Sequence, residues 1–402
     1  MHETHVGLVQ VRIRGFRSAR DVTLAPGSLC ALVGEPRAGK SNVLAAIWTL
    51  LEPGAPAPAS RDAWVGGDAR ILIEADVGGG QTLQLQAAPP QVAVEGAETA
   101  PSVLFLPAAE RSGAVLAPTA ATEGPALEAA TLLRRALRET RATSSAAAAA
   151  AILDRWLEAC LEQGIRRLVL LVEEPELFLR PQGQRYLYRL LRSFSAAGNQ
   201  VLYATHSPSF LNVARIEELA LVEQRHGRGT VIVQPEPLTP DESFRAMSEF
   251  DAERSELFLA RAALLVEGRT EKLVFPYVFR ALGADADRDR ISIVECGGKP
   301  NIPLFARICA ATGIPCVAVH DRDAPEGRKP IASEQAVNEA IRQVVPPERI
   351  VVLAPDFEAV AGLHGHSHKP ERAWRSFAGV DRAHVPEPLA DAARRVLALA
   401  SG

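Results

Sequence analysis

Acidic residues at the ends of apolar runs carry the first chemical signal of this chain. Glu267 closes the run "ALLVEG", and Glu271 follows one helical turn later. Asp321 and Asp323 close "CVAVHDRD", and "APDFEAV" adds Asp356 and Glu358 after a third apolar run. Strands of a parallel sheet bring such ends together at its carboxyl edge. Glu267, Glu271, Asp321, Asp323 and Glu358 offer hard oxygen donors and no thiol, a set that suits Mg²⁺ or Mn²⁺ rather than zinc. There are enough carboxylates for two ions, which could clamp the attacking and leaving oxygens of a phosphodiester. An Asp-x-Asp turn alone also describes a solvated acidic loop; the preceding "VEGRTE" is what favours a metal.

A second chemistry lies near the N-terminus. "GEPRAGKSN", residues 34–42, has Gly34, Gly39, Lys40 and Ser41 at phosphate-loop spacing, with Asn42 following. It sits between an apolar run and a helical pattern, so backbone N–H groups and the helix N-terminus can wrap a phosphate. Lys40 is expected to reach the β- and γ-phosphates of ATP and Ser41 to ligate Mg²⁺. "LVLLVEEPE" delivers Glu173 and Glu174 at a strand tip. Glu173 is expected to hold the Mg²⁺ shell and Glu174 to orient the attacking water. His206 in "ATHSP" ends the next strand, where it can sense the γ-phosphate.

The elements that must position these residues follow from periodicity. "VRIRGFRSARDVTLAPGSLCALVG" reads as three strands entering the glycine loop, and "SNVLAAIWTLL" as a helix. Short strands are expected over residues 68–106, helices over "ALEAATLLRRALRET" and "SSAAAAAAILDRWLEACLEQG", then β-α-β alternation and a closing hairpin. "PEPLTPDESF" (235–244) reads as a turn-rich boundary, after which a compact four-stranded α/β unit restarts the alternation. The expected division is residues 1–240, 255–362 and a C-terminal extension 363–402. The helix bearing Arg185, Arg189 and Arg192 reads as a solvated face or a DNA-facing one, and "HGHSH" (364–368) as a loop that could ligate a metal.

Composition narrows the setting. The net charge of −4 excludes a globally basic nucleic-acid coat but leaves room for a local patch. No apolar run is long enough for a membrane span, and five scattered cysteines without a CxxC pair fit a reducing cytoplasm.

"GFRSARDVTLAPGSLCALVGEPRAGKSNVLAAI", "VEEPELFLRP" and "ATHSPSFL" resemble the ABC-type ATPase heads of DNA-repair and chromosome-maintenance proteins. Pro36 and Arg37 depart from the usual loop, and no LSGGQ-like signature is found between residues 112 and 165. ATP binding is therefore expected and hydrolysis left open. Residues 258–362 resemble the Toprim fold. An ABC head followed by Toprim resembles the overcoming-lysogenization-defect (OLD) family of metal-dependent DNA nucleases. The resemblance implies metal ligation by Glu267, Glu271, Asp321, Asp323 and Glu358, and a late active-site lysine at Lys369 that stabilises phosphorane charge. Glu267 counts with Lys369, Glu174 and His206 among the expected catalytic residues. Gly297-Gly298-Lys299 resembles the family's glycine turn between the acidic motifs. The resemblance further implies a homodimer through the head, a DNA substrate and a role in phage defence. The alternatives are an ATP-dependent DNA-binding sensor with an idle Toprim unit, and another Toprim enzyme such as a primase or topoisomerase.

Overall fold

The computed structural model describes residues 7–65, 70–89, 91–96, 100–108, 124–140, 146–177, 179–211, 213–249, 254–324, 331–363 and 369–401. The chain divides into two compact units, Met1–Pro237 and Leu238–Gly402. Both are α/β, as the alternation predicts.

The first unit holds two sheets around one helix. Strands β1 (Leu8–Phe16), β2 (Ala19–Leu24), β4 (Ile71–Val77), β5 (Gln81–Ala88) and β6 (Gln91–Glu95) form an antiparallel sheet in the order β2-β1-β4-β5-β6. β5 shows why one face is dry: Leu83, Leu85 and Ala87 alternate inward with exposed or half-exposed residues. Strands β3 (Leu29–Val33), β7 (Ser102–Leu106), β8 (Leu168–Glu173), β9 (Gln200–Thr205), β10 (Leu219–Arg225) and β11 (Gly229–Val233) form the second sheet, ordered β11-β10-β3-β9-β8-β7. It is parallel from β7 to β10, and β10 and β11 close it as the expected antiparallel hairpin. Its inner strands are buried throughout, in keeping with a parallel sheet covered on both faces.

Helix α1 (Lys40–Leu51) packs against β1 and β4 of one sheet and β7, β8 and β9 of the other. Val43, Leu44, Ala46, Ile47, Leu50 and Leu51 are its buried apolar residues. Helices α2 (Gly124–Thr140), α3 (Ala146–Glu162) and α4 (Pro181–Ala196) follow, with α3 against both its neighbours. Buried Trp156 ties α3 to α2 by donating its indole N–H to the Ala129 carbonyl at 2.8 Å.

The second unit opens with helix α5 (Pro240–Glu249), where the sequence reads as turn. Thr239 and Glu242 explain it. The Glu242 carboxylate accepts from Thr239 N at 3.0 Å, and the Thr239 hydroxyl accepts from Glu242 N at 3.3 Å. This reciprocal cap, with Pro240 at the first helical position, starts a helix inside a proline-rich stretch.

Four parallel strands then form a sheet ordered β13-β12-β14-β15: β12 (Ala262–Val266), β13 (Ile291–Glu295), β14 (Cys316–Asp321) and β15 (Ile350–Leu353). Helices α6 (Arg269–Ala281), α7 (Ile302–Thr312) and α8 (Ala332–Val344) connect them. The short α9 (Phe357–Val360), α10 (Lys369–Phe377) and α11 (Glu387–Ser401) complete the unit. Ala262, Leu264 and Val266 share a core with α6, α10 and α11. The other face of β12 meets α7. Chain order runs outward from β12 to β13, then returns to β14 on its other side. The carboxyl ends of β12 and β14 therefore flank a topological switch point, where open α/β sheets place ligands.

All five cysteines are buried and unpaired. No helix among the described residues is long and apolar enough to cross a membrane.

Candidate active sites

The glycine loop joins β3 to α1, and both terminal glycines are required by what surrounds them. A Cβ on Gly34 would lie 2.0 Å from the Val222 carbonyl oxygen. Gly39 has φ 109° and presses on a hydroxyl pair, so that a Cβ would lie 2.1 Å from Thr230 Oγ1 and 2.8 Å from Ser18 Oγ. Asn42 Nδ2 donates to the same Ser18 Oγ at 2.6 Å. No side chain caps α1, which leaves its first-turn N–H groups for a ligand. Ser41 is exposed at that end.

Lys40 is 5% exposed. Its ammonium donates to the Gly34 and Glu35 carbonyls at 2.8 and 2.9 Å and lies 3.4 Å from His206 Nδ1. Burial lowers it to about 8, against the opposing pull of Glu174 and Glu176. Burial, then the Lys40 charge, lowers His206.

Of the acids expected beside the loop, Glu174 acts on Lys40, and Glu173 is turned onto Ala108. Glu173 pairs with Ala204 across β8 and β9, and its Oε2 accepts from Ala108 N at 3.0 Å. Glu174 takes a left-handed turn, φ 44°, and its carboxylate stands 3.8 Å from His206 Nε2. Glu176, a residue not singled out in the sequence, locks the next strand end. Its Oε1 accepts from Thr205 Oγ1 and from His206 N, each at 2.8 Å, while its Oε2 is buried without a partner. The segment read for a signature motif lies partly outside the described residues, over 109–123 and 141–145.

The second cluster stands at the switch point of the second unit. Glu267 follows β12, and its Oε1 accepts from Asp321 N at the tip of β14, at 2.7 Å. Asp321 Oδ1 in turn accepts from Phe357 N at 2.8 Å. Glu271, in the first turn of α6, is 7% exposed. Burial pushes Asp321 up to about 8, and the charges of Glu267, Glu271 and Asp323 add to it. Burial pushes Glu267 up to about 7; the Asp321 N–H opposes that, and Glu271 and Asp323 reinforce it. Burial also raises Glu271, with Glu358 as a further cause. The charges of Glu267, Glu271, Asp321 and Asp323 thus bear on one another, and Glu358 bears on Glu271.

Two placements differ from the sequence reading. Glu358 lies in helix α9 rather than at a strand end, because Asp356 caps that helix through Ala359 N at 2.8 Å. Lys299 is buried, 4% exposed, with its ammonium on the Asp323 carboxylate at 2.5 Å. Lys369 stands at the start of α10 and pairs with Glu358 Oε1 at 2.6 Å, which raises it. "HGHSH" (364–368) lies outside the described residues.

Buried and half-buried carboxylates that repel one another are a donor set a hard divalent cation satisfies. Among the described residues no three His, Cys, Asp or Glu side chains stand as a ready metal cage. The reason is local: Glu267 and Asp321 are turned onto backbone N–H groups, Asp323 onto Lys299 and Glu358 onto Lys369.

Residues 258–323 match the family model described as overcoming lysogenization defect protein-like, TOPRIM domain. That match falls within the second unit. Residues 143–212 match the family model described as AAA domain, putative AbiEii toxin, Type IV TA system. The chain is similar to the protein named OLD nuclease from Thermus scotoductus, 34% identical over 269 residues, covering 61% of this chain and 51% of that one. It is similar to Old nuclease of Escherichia phage P2, 29% identical over 161 residues, covering 39% of this chain and 28% of that one. It thus spans about half the length of the first of these relatives and less of the second. Among solved structures, the SMC head domain from Thermotoga maritima aligns at TM-score 0.36 and 17% identity over 57% of this chain and 99% of that one. The C-terminal region of the Burkholderia pseudomallei OLD protein aligns at TM-score 0.30 and 15% identity over 35% and 98%. The family resemblance drawn from the sequence is borne out by the Toprim and AAA domain matches and the curated OLD relatives.

Proposed function

We propose that the chain is an ATP-binding, divalent-metal-dependent DNA endonuclease, with the Toprim unit cutting and the head regulating or positioning it. The observation that carries this reading is the meeting of Glu267 and Asp321 at the switch point, with the charges of Glu271 and Asp323 acting on both and Glu358 acting on Glu271. Glu267, Glu271, Asp321, Asp323 and Glu358 would hold Mg²⁺ or Mn²⁺. A bound divalent ion supplies Lewis-acid stabilisation of the phosphodiester oxygens. Glu267 and Asp321 would exchange their N–H partners for the cation, and Glu267 would accept a proton from an attacking water. Lys369, freed from Glu358, lends positive charge to the crowded phosphorus.

In the head, the loop amides, Gly34, Gly39, Lys40, Ser41 and Asn42 hold ATP, with Ser41 and Glu173 serving its Mg²⁺. Glu174 orients water and His206 senses the terminal phosphate, if ATP is turned over. A homodimer through the head would let two Toprim units address two strands. The proposed setting is the cytoplasm, with phage defence as the proposed role.

The test is calorimetric ATP binding together with nicking of supercoiled plasmid by the full chain. Nicking in Mn²⁺ or Mg²⁺, stopped by EDTA, supports the proposal. A folded chain that binds ATP and never cuts would return the choice to the sensor reading.

A further inference from the structure

Lys299 is a buried charge of the second unit, 4% exposed. It follows Gly297 and Gly298, whose φ values of 72° and 119° suit glycine and make the turn after β13. The turn is tied to the site: Gly298 N donates to the Glu267 carbonyl at 2.8 Å, and Asn301 Nδ2 to the Cys296 carbonyl at 3.0 Å. The lysine stem is thereby sent inward.

An ammonium has three donors and no acceptor. All three find oxygen here: the Asp321 carbonyl at 2.7 Å, Asp323 Oδ2 at 2.5 Å and Glu334 Oε2 at 3.5 Å. Glu334 comes from the first turn of α8, an acid the sequence did not mark. The charge also reaches Glu267, where it opposes the push of the neighbouring acids. A buried ammonium is tolerated only when paired in this way. It occupies the oxygens that a divalent cation beside Asp323 would need.

We propose that Lys299 is a tethered cation filling one of two cation positions in the carboxylate cluster, so that a second divalent ion binds only in competition with its ammonium. This rests on the metal reading of the cluster and adds how its occupancy is controlled. A first ion would be held by Glu267, Glu271 and Asp321. A second must share Asp323 with Lys299 and meets like charge, so it binds weakly until the lysine moves aside. A lysine that only braced the turn would behave in the opposite way: its loss would loosen Asp323 and weaken metal binding.

The experiment is a Mn²⁺ titration of the full chain, free of nucleotide, read by electron paramagnetic resonance of unbound Mn²⁺. The wild type is expected to show one strong and one weak site, separated at least about tenfold. In Lys299→Met the weak site is expected to tighten at least about tenfold, and in Lys299→Arg to stay weak. Circular dichroism checks that each variant folds. Two equally strong sites in the wild type would overturn the proposal, and this needs no variant. So would a folded Lys299→Met variant with an unchanged or weakened isotherm. If the wild type binds Mn²⁺ and cuts DNA while Lys299→Met titrates identically, only this proposal falls. If the wild type binds no Mn²⁺, the nuclease reading falls with it.

Discussion

Glu176 should be the residue whose loss most damages the nucleotide site without touching nucleotide. Its Oε1 holds the Thr205 hydroxyl and the His206 N–H, each at 2.8 Å. Thr205 is fully buried, so water has little access to replace the acceptor. Hydrogen bonds to a charged group contribute roughly 1.5–3 kcal/mol each. Glu176→Ala therefore costs about 3–6 kcal/mol, offset by about 1 kcal/mol as the partnerless Oε2 leaves the interior. A net loss of about 2–5 kcal/mol is large beside the marginal stability of a domain. Glu176→Gln keeps one acceptor but puts an amide where Oε2 finds no partner, so about 1–2 kcal/mol is expected. Urea unfolding of both variants reads the transition of the first unit. In the surviving folded fraction at low temperature, ATP affinity should hold within a few-fold, while turnover, where the wild type shows it, should fall with the displaced His206. Wild-type stability in Glu176→Ala, or unchanged turnover, would refute the reasoning.

Three further expectations follow from the same geometry. Lys40→Met should lower ATP affinity at least about 100-fold, because a charge-assisted phosphate contact is lost; calorimetry on the folded variant reads it, and unchanged affinity would contradict the loop assignment. Lys369→Ala should slow DNA cutting about 100-fold or more while Mn²⁺ affinity changes little, since the ammonium acts on the transition state; a parallel loss of Mn²⁺ binding would make it a site brace instead. Asp154 in α3 is pushed up to about 6 by burial and by Glu158, with Oδ1 lacking a partner. A raised native value means stability present near pH 4 and lost as pH rises through about 6. Asp154→Asn should therefore match the wild type in urea at pH 4 and exceed it at pH 8; equal midpoints at both would count against the buried carboxylate.

The phosphate loop was legible because its parts are contiguous: Gly34 to Ser41 span one turn between a strand and a helix. The acids Glu267, Asp321 and Asp323 were legible because strand ends in a β-α-β run share one edge. What stayed hidden depends on distant partners. Thr230 reaches Ser18 across 212 residues to back Gly39, and no local pattern announces it. Consecutive strands β2 and β3 enter different sheets, which depends on how α1 is buried between them. Glu176 and Glu334 look like ordinary acids of a turn and a helix start until their contacts are seen. Lys299 was seen as part of a glycine turn, but nothing in "CGGKP" says that its ammonium is buried among carboxylates. Glu358 lies in a helix rather than at a strand end because the cap that starts α9 is one aspartate, Asp356, in a four-residue helix.

The central claim is that the Toprim carboxylates hold divalent metal and cut DNA. The direct test is nicking of supercoiled plasmid by the full chain in Mn²⁺, wild type against Asp323→Asn, after removal of contaminating nucleases. Asparagine is the right substitute because Asp323 sits at φ 58°, a left-handed conformation that asparagine tolerates. It keeps the shape and removes only the charge. The account predicts metal-dependent nicking by the wild type, none above background by the variant, and equal ATP binding by both. Nicking by Asp323→Asn at the wild-type rate would contradict it.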